Sequence, residues 1–205
     1  SDLPVFATLV LISNSGSSTS VTNTGTMGAP TSSGPIFTLG GTGDGSGANS
    51  GNISFANTGT IYQPVVLSNS GGMTAVSNTG TIGVSSSTGT APIFTIGGQG
   101  DGTGSGSGNI RFTNVSGGVI YQPIKLTNSG GTATITNSGV IGTSSGAGVP
   151  IFTIGGTGDG SGAGAGMVSF ANTSTGVVYQ PIVLANSGGG TQGIGKATAV
   201  LLAKE

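Results

Sequence analysis

At 205 residues, with 44 of them Gly, only 4% charged and a net charge of −1, the chain contains neither Cys nor His. Four basic residues cannot make the clustered Lys/Arg footprint that nucleic acid needs. Without Cys there is no disulfide framework or thiolate metal site, and without His the commonest general base and metal ligand is missing. No apolar run is long enough to span a membrane, and no cofactor is expected. Gly/Ser-rich composition usually argues for disorder, but here Ile, Val, Leu and Phe recur in register through the polar background.

In chain order, residues 1–16 open on an apolar stretch carrying Leu3, Val5, Phe6, Leu9 and Leu11. Two readings stand side by side: a partial rung of a repeat structure, or a donor strand that adds to another subunit. The start at Ser1 rather than Met fits a processed secreted product or an excised segment of a longer protein.

Residues 17–190 are repetitive, with repeats at about 17–72, 73–131 and 132–190. Pro35, Pro92 and Pro150 are 57 and 58 residues apart, and Tyr62, Tyr121 and Tyr179 are 59 and 58 apart. Each period holds a weaker half-repeat of Asn, Thr or Ser, Gly and an apolar residue. Its Asn positions are Asn23, Asn57, Asn78, Asn114, Asn137 and Asn172, spaced 34, 21, 36, 23 and 35. Short turns alternating with long ones are what a parallel β-helix uses, each rung being two or three short strands. The expected fold is therefore all-β, a parallel β-solenoid of about six alternating short and long rungs. The alternative is a β-sandwich pilin-like subunit with donor-strand exchange. Residues 191–205 read as a C-terminal partial rung containing Val200, Leu201 and Leu202.

Alternation sets the facing. Ile53 and Phe55 should point inward and Ser54 outward, and Arg111 replaces Ser54 in the next copy. Val65 and Leu67 should point inward, with Lys125 at the outward position of Val66. In PIFTIGG, Phe94 and Ile96 should face in with Thr95 out, and Phe37/Leu39 and Phe152/Ile154 likewise. Two of the four basic residues thus fall on independently assigned outward sites. At the Asn-x-Gly corners, Asn tolerates left-handed backbone and Gly takes positive φ at no steric cost. Stacked in register, the Asn side chains would form an amide ladder along the axis.

Glycine runs at 40–51, 97–108 and 155–166 carry Asp44, Asp101 and Asp159. These are the weak calcium candidates: one carboxylate per loop is too few for a cation that wants six or more oxygens. Successive loops would also lie about 10 Å apart, two rungs of about 4.8 Å. No metal site is expected. The sequons at Asn52, Asn114 and Asn172 are as frequent as chance gives in such a chain.

The segments NTGTI, NSGVI and PIFTIGG, separated by Gly/Ser-rich turns, resemble the repetitive β-helix passengers of autotransporters and filamentous-haemagglutinin-like adhesins. The resemblance covers nearly the whole chain and is one of repeat grammar. It implies a right-handed parallel β-helix exported to the cell surface, serving as an adhesin or structural stalk. This chain departs from those passengers in being short, almost uncharged and without a membrane barrel.

Catalysis on a β-helix needs paired carboxylates or an activated hydroxyl, and no two acids here fall where they could pair within a subunit. The expectation is a non-enzymatic extracellular structural protein, the subunit of a head-to-tail surface filament whose partner is itself. Subunit contacts would come from Leu3, Val5, Phe6, Leu9, Leu11, Val200, Leu201 and Leu202. The alternative is a cell-surface adhesin that binds carbohydrate or a host or neighbouring cell surface through the loops and a stripe of Tyr62, Tyr121 and Tyr179. Those tyrosines, each preceding Gln-Pro, also fit strand-to-strand corners in which Pro fixes the bend and Tyr covers the core.

Overall fold

A computed structural model describes residues 5–6, 10–14, 18–30, 37–41, 52–69, 72–85, 93–98, 109–128, 132–144, 152–156, 167–186 and 197–200. Alternating β-branched and small polar residues make strands here, and the strands recur in threes. β1 (Val5–Phe6), β2 (Val10–Asn14) and β3 (Thr19–Asn23) form the first layer. β4 (Thr26–Met27), β5 (Phe37–Gly41) and β6 (Ile53–Asn57) form the second. β7 (Thr60–Ile61), β8 (Val65–Asn69) and β9 (Thr74–Asn78) form the third, and β10 (Thr81–Ile82), β11 (Phe94–Gly98) and β12 (Ile110–Asn114) the fourth. β13 (Val119–Ile120), β14 (Ile124–Asn128) and β15 (Thr132–Asn137) form the fifth. The sixth is β16 (Val140–Ile141), β17 (Phe152–Gly156) and β18 (Met167–Asn172); the seventh is β19 (Val177–Val178), β20 (Ile182–Asn186) and β21 (Ala197–Val200).

The first strands of successive layers pair with one another, as do the second and the third. Three seven-stranded sheets result, called A, B and C in that order. Every described pair is parallel. The fold is therefore a parallel β-solenoid, and the sandwich alternative, which needs antiparallel pairs, does not describe it. With β1–β3 and β19–β21 at its two ends, the stack has seven layers among the described residues. β1 and β2 pair with β4 and β5 of their own chain.

Short and long layers alternate as the Asn spacing implied, but the extra length is divided. In layers 3, 5 and 7 the step from sheet A to sheet B takes only residues 62–64, 121–123 and 179–181. In layers 2, 4 and 6 it runs through 28–36, 83–93 and 142–151, and the glycine runs add a second excursion between sheets B and C. In these three layers both corners lengthen together, whereas in layer 7 only the second does, with residues 187–196 between β20 and β21.

Facing follows the expected alternation. Ile53 and Phe55 are buried beside exposed Ser54, Ile110 and Phe112 beside exposed Arg111, and Ile124 and Leu126 beside exposed Lys125. Val65, Leu67, Phe94 and Ile96 are buried, Thr95 is half-buried, and Phe37 and Phe152 complete the set. The side chains of Leu39 and Ile154 lie outside the described residues, although their register positions match those of Leu67 and Ile96. Each long layer sets one Phe of sheet B against one of sheet C: Phe37–Phe55 at 5.8 Å, Phe94–Phe112 at 6.3 Å and Phe152–Phe170 at 6.2 Å between centroids. Phe55–Phe94 at 5.5 Å and Phe112–Phe152 at 5.4 Å join these pairs into one column. The short layers between them place smaller side chains at the same positions, Val65 with Val76 and Ile124 with Ile135. Fully burying each such side chain contributes about 2 kcal/mol, so the column adds to the cohesion that the three sheets supply along the axis.

Candidate functional site

Three corners connect the sheets, and each is built by its own side-chain device. Between sheets C and A, the six half-repeat asparagines turn inward at the ends of β3, β6, β9, β12, β15 and β18, and all are buried. Each Nδ2 donates to the Oδ1 of the next, at 2.7 Å from Asn23 to Asn57 and 2.8 Å for the four steps on to Asn172. The second amide hydrogen is shared with the carbonyl of the corner glycine, 3.2 Å for Asn57 to Gly59 and 3.1 Å for Asn78 to Gly80. Asn172, the last rung, donates to the Gly176 carbonyl at 2.8 Å. The amide ladder read from the repeat spacing is present, and it satisfies a row of polar groups that the core would otherwise leave unpaired.

The glycines of these corners have a different reason from the one expected. Positive φ occurs at Gly28, Gly83, Gly117 and Gly142, not at Gly59, Gly80 or Gly139 of the Asn-x-Gly motif. There the constraint is close approach: a Cβ on Gly80 would collide with the Gly59 carbonyl oxygen, and one on Gly139 with that of Gly118. Parallel layers stack backbone on backbone at this edge, and any side chain would force them apart.

Between sheets B and C the polar partner comes from the long layers. Asn52 Oδ1 accepts the Met73 N–H at 2.7 Å, and Asn109 Oδ1 accepts the Thr132 N–H at 2.7 Å. Of the three sequons, Asn114 and Asn172 sit buried in the ladder with their amide nitrogens engaged. Their burial leaves no room for a glycan on the folded chain.

Between sheets A and B lies the Tyr-Gln-Pro corner of the short layers. The backbone N–H of Tyr62, Tyr121 and Tyr179 donates to Met27, Ile82 and Ile141 at 2.9, 2.8 and 2.9 Å. The three tyrosines therefore share one edge on alternate layers. Tyr62 and Tyr121 are half-buried, whereas Tyr179 is 51% exposed. The glutamines, which sequence reasoning passed over, cover the positive-φ glycines of the layer beneath. A Cβ on Gly83 would stand 2.6 Å from Gln122 Cγ, and Gly28 and Gly142 are met in the same way by Gln63 and Gln180. The recurrence of Gly after β4, β10 and β16, always one layer before a Gln-Pro, was the signal.

At the seventh layer the corner opens into a recess enclosing about 360 Å³, walled by Phe170, Val178, Tyr179, Gln180, Pro181, Ile182 and Leu184. Val5, Phe6, Leu11 and Val200, expected at subunit contacts, lie in β1, β2 and β21 at the two ends of the stack. Leu3, Leu9, Leu201, Leu202, Asp44, Asp101 and Asp159 lie outside the described residues. Among the described residues no three of His, Cys, Asp and Glu converge on a metal-sized space, and no helix is long and apolar enough to cross a membrane. The charges on the described surface are Arg111 and Lys125, outward on sheets C and B. No protein-family model matches the chain, and no curated protein or solved structure matches it either.

Proposed function

We propose that this chain is a non-enzymatic structural protein of the cell exterior, the repeating unit of a rigid filament in which copies stack head to tail. The observation that carries the reading is the axial continuity of the fold. Three parallel hydrogen-bond ladders, the amide ladder from Asn23 to Asn172 and the Phe37–Phe170 column all run along one direction. At each layer interface, tension along that axis is carried in parallel by the bonds of three sheets and the amide ladder, which suits a shaft. Near-zero charge favours close packing of copies, since a strongly charged surface would repel its own kind. The resemblance to β-helix passengers of surface-exported adhesins and stalks points to the same location.

Negative-stain microscopy of the purified chain, beside a version lacking residues 1–12, tests the reading. Filaments from the full chain and single particles from the truncation are expected. Single particles from both would overturn it. The second reading, an adhesin binding carbohydrate, draws on the shared edge of Tyr62, Tyr121 and Tyr179 and on the exposure of Tyr179. Glycan-array binding by a monomeric chain, lost on Tyr179→Ala, would favour it.

A further inference from the structure

The inward side chains of the seventh layer are less covered than their counterparts below. Ile61, Val65 and Leu67 of the third layer are fully buried, and Ile120, Ile124 and Leu126 of the fifth are at most 1% exposed. The corresponding Val178, Ile182 and Leu184 are only half-buried and wall the recess. Residue size changes here too. The sheet A column reads Met27, Ile61, Ile82, Ile120, Ile141 and then Val178. In sheet C the position of Phe112, Ile135 and Phe170 passes to Ala199. The last layer is therefore the smallest-lined. At the opposite end, the same sheet A column begins with its bulkiest member, Phe6.

We propose that the recess above β19 and β20 is the acceptor for the β1–β2 layer of a second copy of this chain. Phe6 of that copy is seated over Val178, and its Val10 and Ile12 over Ile182 and Leu184. The register follows from the columns already present. Leu11, Thr38, Val66, Thr95, Lys125, Thr153 and Val183 occupy one position of sheet B, so the next layer brings Leu11 of the second copy beside Val183. Both end layers have three-residue steps from sheet A to sheet B, 7–9 and 179–181, so these corners match in length, while the step from sheet B to sheet C is 15–18 in the first layer and 187–196 in the seventh. A polypeptide layer suits the recess better than a sugar because its walls are mostly aliphatic and aromatic carbon. The large residue at one end answers the small ones at the other. The proposal rests on the filament reading and specifies its contact.

Because the chain has no Cys, the register is testable by engineered disulfides. Leu11→Cys with Val183→Cys places two thiols on neighbouring parallel strands, within the Cα separation of about 4.4–6.8 Å that a disulfide accepts. The pair Ser13→Cys with Val183→Cys is offset by two residues and falls beyond that reach. Under mild oxidation the first pair is expected to give a reducible ladder of multimers and the second none. Val178→Phe, which fills the recess, should abolish the ladder while leaving the far-UV spectrum of the chain unchanged. Filaments in the microscope with no ladder from the first pair would overturn this contact and leave the filament reading intact. Single particles with no ladder would overturn both. Glycan binding that Val178→Phe removes, in a chain that stays monomeric, would assign the recess to a sugar instead.

Discussion

Asn114 uses its whole side chain along the axis: Oδ1 accepts from Asn78, and Nδ2 donates to Asn137 and to the Gly118 carbonyl. Asn114→Ala breaks the ladder at its centre and leaves amide groups of two neighbours without their axial partners. Each buried group so stranded costs about 1–3 kcal/mol, so a loss of about 3 kcal/mol is expected in urea unfolding. Asn57→Ala, with the same bonding, should match it, and a loss below about 1 kcal/mol at both would show that the ladder adds little. Glycine divides into two kinds at this scale. Gly83→Ala meets both φ +87° and the Gln122 side chain, whereas Gly117→Ala meets φ +90° and open space. The strain of a non-Gly residue at positive φ is about 1 kcal/mol, so Gly117→Ala should lose about that much and Gly83→Ala clearly more. Gln122→Ala, by clearing part of the collision, should recover some of the difference in thermal midpoint. Sequence reading found the asparagines because they repeat, but it gave the corner glycines the wrong reason. Close approach between layers depends on which residues stack, and a single chain position does not display its neighbour in the next layer.

Within one strand, facing rather than residue type decides the outcome of a substitution. Phe112 is buried between Phe94 and Phe152, and Arg111 beside it is exposed. Phe112→Ala should cost about 3–5 kcal/mol through lost burial and the cavity left in the column. Arg111→Ser restores the residue type found at Ser54 and Ser169 and should stay within about 0.5 kcal/mol. Comparable losses at both positions, measured by denaturant midpoints, would mean that the strand does not present the two faces described. The longer strands of sheets B and C were legible because each motif recurs three times with charge tolerated on one face only. Sheet A was not legible as a sheet. Its strands are two residues long, too short for a period of two to show, and they become a sheet only through stacking. The Gln-Gly contacts were hidden for a related reason: Gln122 and Gly83 are neighbours only across layers.

At the scale of the molecule, the unit of repetition is a pair of layers, one carrying facing phenylalanines and the next carrying smaller side chains. Removing residues 74–132 excises one such pair and joins Met73 to Ala133, so β15 takes the place of β9 on β6. Asn57 then meets Asn137, and the small-large order along the core is kept. Removing only residues 74–109 joins Met73 to Ile110 and sets β12 directly on β6. Phe112 then lies over Phe55 in adjacent layers, and Phe94, which separates them, is gone. On sheet B the smaller Val65 and Ile124 become neighbours at the same time, and mispacking of this kind typically costs about 1–3 kcal/mol. In a solenoid, where each layer touches only its neighbours, loss of a whole unit lowers total stability without weakening the contacts that remain. The two-layer deletion should therefore keep a urea midpoint close to that of the parent, with a smaller m-value in proportion to the surface removed. The one-layer deletion, though it removes less chain, should unfold at a lower midpoint. The opposite order would mean that single layers pack interchangeably and that the alternation of large and small side chains has no part in fixing the register of the stack.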